Sequence, residues 1–436
     1  MDELNFLIIK TIYYLSNMNS DIMNDDYELL LNNLKFSIKK NIIDENLEVE
    51  EEYLNINNIP NGAYFDIAYY RKNYLKDEKI DPIKHYLEIG ADKGFNPNEY
   101  FDTKFYIDSY PEIKKAGYNP LVHYIKWGLY EGRLPKLLTL DELFKQNLKK
   151  CVKGKNGYLF LINDGNSELH QHFDKNFVSR FSLEKSLKVQ QIKKTYLENK
   201  NIKFYSFGVP DKSVICKDYL PFKVDYMYRE LEERDDIIDL KCDELQPRHY
   251  SKSDTHTNYE GGKLLAFKIL NYIDGSFNSQ DYENCIENSK EILVETRFDL
   301  SDQLNWSYSY AELTRLRYNG NFLCNYKSHQ PIDLEDLSHT IPNEFKTVKK
   351  CKSIFYRNKN SVSNLRVLLL HDSTMTYMKD YLSFYFREMF LYWDHGLFNR
   401  ELVEWFKPDL VLEIRIERFL GGVPTPKWIE EILKEE

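Results

Sequence analysis

The chain lacks a long apolar run, an excess of positive charge and closely spaced cysteines. No stretch of about 18 apolar residues occurs in its 436 residues, so we expect no membrane-spanning helix. The formal net charge of -10 argues against a general nucleic-acid binder, because phosphate binding needs a basic surface. The six cysteines form no close pairs, which disfavours a zinc knuckle or a dense disulfide framework and predicts free thiols in a reducing compartment.

The sequence also lacks the short signatures of several enzyme classes. It contains no Gly-x-Ser-x-Gly elbow, no phosphate-binding P-loop and no Gly-x-Gly-x-x-Gly fingerprint. A standard α/β-hydrolase, a P-loop NTPase and a Rossmann dehydrogenase therefore lose support. The start has no basic segment, and Lys10 and Thr11 interrupt its apolar stretch, so we see no export signal. We expect a cytoplasmic protein that associates with membranes only through a partner.

The length of the chain predicts more than one domain. Residues 1–60 have the spacing of an acidic helical segment. Residues 61–140 contain one pattern twice, since residues 64–66 recur as 100–102 and residues 81–86 recur as 119–124. From about residue 150 to residue 436 the pattern changes to alternating strands and helices.

Each copy of the repeated pattern is predicted to form a helical hairpin. Asp81 or Asn119 can cap a helix whose first residue is the proline that follows it. His85 and His123 occupy equivalent positions, and a repeated histidine beside a tyrosine favours a hydrogen-bonded structural role over a ligand role. The exit of each hairpin is marked by a glycine and a proline: Gly94 and Pro97, then Gly132 and Pro135. The copies resemble short helical repeats beside bacterial glycosyltransferase and glycan-modifying domains.

The segments after residue 150 predict an α/β fold. Its strands are expected at Ile202–Val209, Leu365–Leu370, Met389–Trp393 and Leu410–Ile416, with a helix at Leu183–Glu198. Short apolar strands separated by helices favour a parallel, doubly wound sheet with helices on both faces. Ligand sites in such sheets lie beyond the C-terminal ends of the strands, where Ser373 is found.

Two distant segments together carry the residues of a Ser-His-Asp site. Asp254 and His256 lie two residues apart, and Ser373 comes just after a predicted strand. A serine hydroxyl becomes a nucleophile when an imidazole accepts its proton and a carboxylate orients the imidazole. The hypothesis assigns Ser373 as nucleophile, His256 as general base and then general acid, and Asp254 as the orienting group. The alternative is that Asp254 and Ser373 only cap the helices that follow them.

A metal site is a weaker candidate. His170 and His172 could be assembled with His249 and His256. His-x-His without nearby cysteine or carboxylate spacing is weak support for a metal, so no metal ligand is assigned.

Five motifs occur in a fixed order: residues 154–160, 209–215 and 250–262, the Asp372-Ser373 strand end, and residues 407–411 with 416–420. Together they resemble the SGNH-type acetyltransferase domain of the alginate O-acetylation proteins. The resemblance implies an SGNH-like, flavodoxin-like α/β domain over about residues 150–436 that transfers acetyl groups to polysaccharide hydroxyls. It places the catalytic roles on Asp254, His256 and Ser373. It also places Glu417 and Arg418 near the site, either in substrate contact or as a buried pair that shapes the pocket.

Two positions depart from the pattern of that family. His371 stands where the family usually has glycine before the Asp-Ser pair, and Thr257 replaces the usual tryptophan after the histidine. These departures keep a catalytically idle glycan-binding scaffold open as an alternative. An acetylesterase with the same triad is a second alternative, because water could replace the sugar hydroxyl and no residue separates the two reactions.

The implied reaction also indicates which donor, substrate and partners the protein requires. It needs no bound cofactor but requires an acetyl donor, either acetyl-CoA or an acetylated carrier. The expected partners are a polysaccharide or glycan substrate and, through the helical repeats, glycan-assembly proteins. No nucleic acid is expected among them.

Overall fold

The computed structural model describes eleven segments of the chain: 63–77, 79–129, 131, 133–145, 150–179, 181–284, 299–300, 333–346, 353–393, 398–422 and 425–435. The predicted helical segment 1–60 and Gly132 lie outside these residues. The chain divides into two compact units. The first consists of Met1–Leu143 with the short segments Lys153–Asn156 and Pro221–Lys223. The second consists of Phe144–Val152, Gly157–Leu220 and Val224–Glu436. Among the helices described, none has the length and apolar character needed to cross a membrane.

The first unit contains five short α-helices: α1 (Ile67–Tyr74), α2 (Pro82–His85), α3 (Thr103–Ser109), α4 (Pro111–Lys115) and α5 (Pro120–His123). A sixth helix, α6 (Leu140–Lys145), follows them along the chain. The π-helical turns Tyr86–Gly90 and Tyr124–Gly128 continue α2 and α5. The side chains of Asp81 and Asn119 accept hydrogen bonds from the first turns of α2 and α5, so the predicted caps are present.

The two copies in this unit make the same histidine contact. The Tyr70 hydroxyl lies 2.9 Å from His85 Nδ1, and the Tyr106 hydroxyl lies 3.0 Å from His123 Nδ1. A side chain at Gly90 or Gly128 would collide with the corresponding tyrosine hydroxyl, which explains glycine at both positions. Both histidines thus have the hydrogen-bonded role that the sequence predicted.

The second unit is built on a seven-stranded sheet with strand order β4-β3-β9-β7-β8-β6-β5. Its strands are β3 (Lys203–Val209), β4 (Ile238–Asp239), β5 (Leu334–Asp336), β6 (Ile354–Asn358), β7 (Ser363–His371), β8 (Phe386–Tyr392) and β9 (Leu410–Ile416). Two further strands, β1 (Cys151–Lys153) and β2 (Leu159–Leu161), pair separately. The helices after residue 150 are α7 (Glu168–Phe173), α8 (Leu183–Glu198), α9 (Lys212–Ile215), α10 (Tyr259–Ile273), α11 (Ser279–Asn284), α12 (Lys379–Tyr385), α13 (Arg400–Phe406) and α14 (Lys427–Glu435).

Helices cover both faces of this sheet. On one face, Leu368 and Val411 pack in one buried cluster with Leu197 of α8 and Phe406 of α13. On the other face, the rings of Tyr205 and Phe207 contact Tyr272 of α10. Alternate residues of a strand point to opposite faces, so this arrangement buries both sides of the sheet. The predicted α/β class with a layer of helices on each face is confirmed.

The strands run parallel from β4 to β8, but β6 is antiparallel to β8 and β5 is antiparallel to β6. The prediction of a parallel sheet is therefore correct for five strands and incomplete at one edge. The loop between β6 and β7 explains the difference, because it contains only residues 359–362. A parallel arrangement needs a crossover of about a dozen residues or more, so β6 has to run in the opposite direction.

Candidate active site

Ser373 lies at the C-terminal edge of the sheet, in the first position of a 3-10 turn (Ser373–Tyr377) that follows β7. Asp372 holds this turn in place. One of its carboxylate oxygens accepts a hydrogen bond from the Thr374 N–H at 2.8 Å, and the other accepts one from the Ile416 N–H at 2.8 Å. Asp372 therefore caps the turn and ties the end of β7 to the end of β9.

Asp254 and His256 lie on a tight loop closed by a bridge between Tyr250 and Thr257. Oδ1 of Asp254 accepts the backbone N–H of His256 at 3.0 Å and lies 2.5 Å from His256 Nδ1. One carboxylate oxygen thus fixes the loop and the ring together. This contact favours the tautomer with its proton on Nδ1 and leaves Nε2 to act as a base.

The electrostatics of the pair support this assignment of protons. Burial lowers the pKa of His256, but the hydrogen bond and the negative charge of Asp254 outweigh it, and the net pKa is raised above the ordinary value. Burial raises the pKa of Asp254, but its bond to His256 outweighs that effect and holds the net pKa low. His256 Nε2 is buried and makes no hydrogen bond to any residue that the structure describes.

The capping alternative is not what these side chains do. Helix α10 is capped by Asn258, whose side chain accepts the Gly261 N–H at 3.0 Å. The turn after β7 is capped by Asp372. Asp254 and Ser373 are therefore not needed as caps for these two elements.

The structure brings the segments of Ser373 and His256 into contact, but not into a hydrogen bond. A side chain on Gly262 of α10 would come within 2.5 Å of Tyr377 Cβ, so the start of α10 lies against the Ser373 turn. In the described residues no hydrogen bond joins Ser373 Oγ to His256 Nε2. Catalytic bonds are often long without substrate, and the triad stays a prediction.

Lys212 is a site residue that the sequence reasoning missed. Its side chain is 3% exposed, and Nζ donates to the carbonyl oxygens of Leu159 at 2.7 Å, Lys252 at 2.9 Å and Asp254 at 2.9 Å. The ammonium therefore ties the Asp254 loop to β2. It lies in the 209–215 motif, but no spacing rule connects it with residue 254.

Asp299 is a second missed residue. It accepts hydrogen bonds from the Thr255 N–H at 2.9 Å and the Thr255 hydroxyl at 2.5 Å, and it lies 3.9 Å from His256 Nδ1. Asp254, His256 and Asp299 could together hold a metal ion, because their donor atoms lie within 4.8 Å of one another. Without a metal, a proton on His256 Nδ1 satisfies Asp254, and Thr255 satisfies Asp299.

The histidines considered for a metal site have other partners. His172 has Tyr228 O at 3.0 Å from Nδ1 and Asp211 Oδ2 at 3.1 Å from Nε2. Because both ring nitrogens face acceptors, both carry protons and His172 is an imidazolium. Burial lowers its pKa, but Asp211 outweighs this and raises the pKa to about 9. The His170 ring lies against the Phe144 ring in a tilted arrangement, and His249 Nδ1 accepts the Gln246 N–H.

Glu417 and Arg418 directly follow β9, and both are buried. They pair with other segments rather than with each other. Arg418 forms ion pairs with Asp211 and, at 3.3 Å, with Glu168, while Glu417 pairs with Arg229 at 2.8 Å. Burial raises the pKa of Glu417 to about 7. These contacts support a role in shaping the pocket, and substrate binding by Arg418 and Glu417 stays a prediction.

The two departures from the family pattern fit the backbone without strain. His371 is not among the described residues with positive φ, so the turn at Ser373 does not require glycine there. The His371 ring is buried, with Nδ1 2.7 Å from Asp372 O, and burial lowers its pKa to about 4. Thr257 is buried in the bridge that closes the His256 loop.

No protein-family model matches this chain, and no curated protein sequence matches it. Solved structures similar to it include PatB1 of Bacillus cereus with a sulfonyl adduct (14% identity, 64% of this chain and 99% of that chain, TM-score 0.42). They also include the O-acetyltransferase domain of Pseudomonas putida AlgJ (11% identity, 66% of this chain and 100% of that chain, TM-score 0.34). A third is Pseudomonas aeruginosa AlgX (14% identity, 61% of this chain and 61% of that chain, TM-score 0.33). These neighbours include the kind of acetyltransferase domain that the sequence motifs resemble.

Proposed function

We propose that the protein is an O-acetyltransferase that modifies hydroxyls of a polysaccharide through Ser373, His256 and Asp254. The observation that carries the proposal is the 2.5 Å contact between Asp254 Oδ1 and His256 Nδ1, combined with a buried Nε2 that has no partner in the described residues. A carboxylate-oriented imidazole with an available Nε2 is what serine activation requires. The five ordered motifs that resemble the SGNH-type acetyltransferases add support.

In the first half of the reaction, Ser373 Oγ attacks the carbonyl carbon of an acetyl donor while its proton passes to His256 Nε2. Asp254 stabilises the imidazolium that forms. The proton then moves to the leaving group as the bond between the acetyl carbon and the donor breaks. The product of this half is an acetyl ester on Ser373.

In the second half, a sugar hydroxyl gives its proton to His256 and attacks the acetyl ester. The proton returns to Ser373 Oγ as the ester bond breaks. The N–H of Ser373, at the start of the 3-10 turn, is our candidate donor to the oxyanion in both halves. Each such donor contributes about 3–4 kcal/mol of transition-state stabilisation in well-studied hydrolases.

Intact-protein mass spectrometry after incubation with para-nitrophenyl acetate tests the proposal. We expect one acetyl adduct on the native chain and none on Ser373→Ala or His256→Ala, while Ser276→Ala, which changes an exposed serine, keeps the adduct. Adding cellotetraose then separates transfer, which puts the acetyl group on the sugar, from hydrolysis, which releases acetate. An adduct that persists in Ser373→Ala, or no adduct on the native chain, contradicts the proposal. Repeating the reaction with a chelator tests whether a metal at Asp254, His256 and Asp299 takes part.

A further inference from the structure

A cavity of about 250 Å³ lies beside Glu417 in the second unit. Three separated segments line it: the loop around α7, the segment before β4 and the residue after β9. Four of its lining residues are aromatic and none of these is fully buried: Phe177, Phe181, Tyr226 and Tyr228. Small-molecule sites are typically concave and aromatic, with a few fixed polar groups.

The cavity and the nucleophile lie at the ends of neighbouring strands. His371 of β7 pairs with Ile414 of β9, so Ser373 and Ile416 follow at the same level. The bond from the Ile416 N–H to Asp372 confirms that the two strand ends stay together. Adjacent strands are about 4.8 Å apart, and Glu417 is the next residue after Ile416. Ligands of open α/β sheets bind at this edge, outside the carboxyl ends of the strands.

The polar groups at the wall of the cavity are held rigidly. One Glu417 oxygen is bound by the Arg229 guanidinium at 2.8 and 3.0 Å, and His172 is held by Tyr228 O and Asp211. The other Glu417 oxygen is buried and makes no hydrogen bond to any residue in the described part of the chain. Burial raises the pKa of this carboxyl to about 7.

We infer that this cavity is the subsite for a neutral pyranose of the acceptor glycan, which places a hydroxyl of that chain near Ser373. The inference rests on the proposed acetyl transfer. The volume is below the roughly 300 Å³ at which pockets for drug-sized ligands begin, so it suits one sugar ring. The lining has three carboxyl groups (Asp174, Glu230 and Glu417) against Lys175 and the protonated His172, so it has no positive excess to attract a uronic acid.

Ligand-observed NMR with methyl glucopyranoside and methyl glucuronide tests the subsite on the full chain. We expect the neutral glycoside to bind the native chain and to bind Tyr226→Ala about tenfold more weakly, as for truncation of an aromatic residue at a binding hot spot. The matched control is Tyr272→Ala, because Tyr272 is also an exposed tyrosine but lines a different cavity, near the start of β3. We expect Tyr272→Ala to bind like the native chain and the glucuronide to bind more weakly than the glucoside.

Equal binding to all three proteins, stronger binding of the glucuronide, or no binding of the glucoside overturns the subsite. The acetyl adduct on Ser373 is measured separately on the native chain. If the adduct forms but Tyr226→Ala does not weaken glucoside binding, the subsite fails and the proposed chemistry stands. If the glucoside binds as expected but no adduct forms, the subsite stands as a sugar site and the proposed chemistry fails.

Discussion

His123 in the helical copies and His256 at the candidate site differ in the charge of the group beside Nδ1. His123 meets the neutral hydroxyl of Tyr106 at 3.0 Å, and burial lowers its pKa to about 4. His256 meets the carboxylate of Asp254 at 2.5 Å, and its net pKa is raised. Burial acts in the same direction on both rings. Burial and the positive charge of Arg133 therefore keep His123 neutral, whereas the carboxylate of Asp254 enables His256 to gain a proton.

The largest effect is expected from Asp254→Asn, which gives His256 a neutral partner like that of His123. We expect acylation of Ser373 to fall by about 10⁴-fold, as when the aspartate of a serine protease triad is changed to asparagine. Because acylation needs neutral His256, its rate rises with pH through the raised pKa. The variant loses the group that raises this pKa, so its rising limb should move to lower pH. Stopped-flow acylation across pH measures both effects.

Asp299→Asn is the matched control for that prediction. Asp299 also raises the pKa of His256, but it lies 3.9 Å from Nδ1 and bonds to Thr255 instead. In Asp299→Asn we expect the rising limb of the pH–rate profile to move to lower pH by less than in Asp254→Asn, and the acylation rate to fall by less. An equal effect of the two variants, or a limb of Asp254→Asn that stays in place, contradicts the assignment of Asp254 as the orienting group.

The next largest effect is expected from Lys212→Met, which should lower the free energy of unfolding. The ammonium donates to three carbonyl groups in a nearly closed interior, and methionine cannot replace any of these bonds. Each buried acceptor left without a donor costs about 1–3 kcal/mol, so we expect the free energy of unfolding to fall by about 3 kcal/mol or more. Urea denaturation measures this loss.

An exposed lysine gives the comparison for Lys212. Lys188→Met removes only a surface ion pair with Glu184, so its effect should stay within about 0.5 kcal/mol. If Lys212→Met is as stable as Lys188→Met, the three carbonyl contacts are not what holds the Asp254 loop.

His172 and His123 should give opposite dependences of stability on pH. The folded pKa of His172 is raised to about 9, so its contribution is complete below about pH 6.5 and is lost as pH rises through 9. The rise of the His172 pKa from its ordinary value to about 9 corresponds to roughly 3 kcal/mol in the free energy of unfolding. The folded pKa of His123 is lowered to about 4, so its contribution is present above about pH 6.5 and is lost as pH falls through 4.

Urea denaturation of the native chain, His172→Gln and His123→Gln across pH separates these two contributions. We expect His172→Gln to lose the decline in stability between about pH 6.5 and 9, and His123→Gln to lose the decline between about pH 6.5 and 4. A decline above pH 6.5 that persists unchanged in His172→Gln contradicts its assignment as an imidazolium.

The sequence predicted the parts of the fold that depend on local pattern. Helix α8 occupies the predicted Leu183–Glu198, because Ser182 caps its start. Strand β9 occupies the predicted Leu410–Ile416, because five of its seven residues are leucine, valine or isoleucine. The antiparallel direction of β6 was not predicted, since it depends on which strand becomes its neighbour. At the site, Asp254-x-His256 could be found because its two residues are close in sequence.

The missed site residues depend on contacts that sequence spacing does not encode. Lys212 acts on Asp254 across 42 positions, and Asp299 acts on Thr255 across 44. Asp372 reaches Ile416 across 44 positions, which only the pairing of β7 with β9 makes possible. A single sequence shows which chemical groups are available, but the tertiary fold decides which of them meet.

The smallest effect, and the sharpest test of the two copies, comes from Tyr106→Phe and Tyr70→Phe. Each removes the hydroxyl that bonds to a histidine Nδ1, but His123 is buried whereas His85 is partly exposed. Water can replace the lost partner at His85 and not at His123, so we expect a loss of about 1–2 kcal/mol for Tyr106→Phe and less than about 0.5 kcal/mol for Tyr70→Phe. Urea denaturation monitored for the first unit measures the loss in both variants. Equal losses would show that exposure does not set the cost, and a change in acylation of Ser373 by either variant would show that these histidines are more than structural.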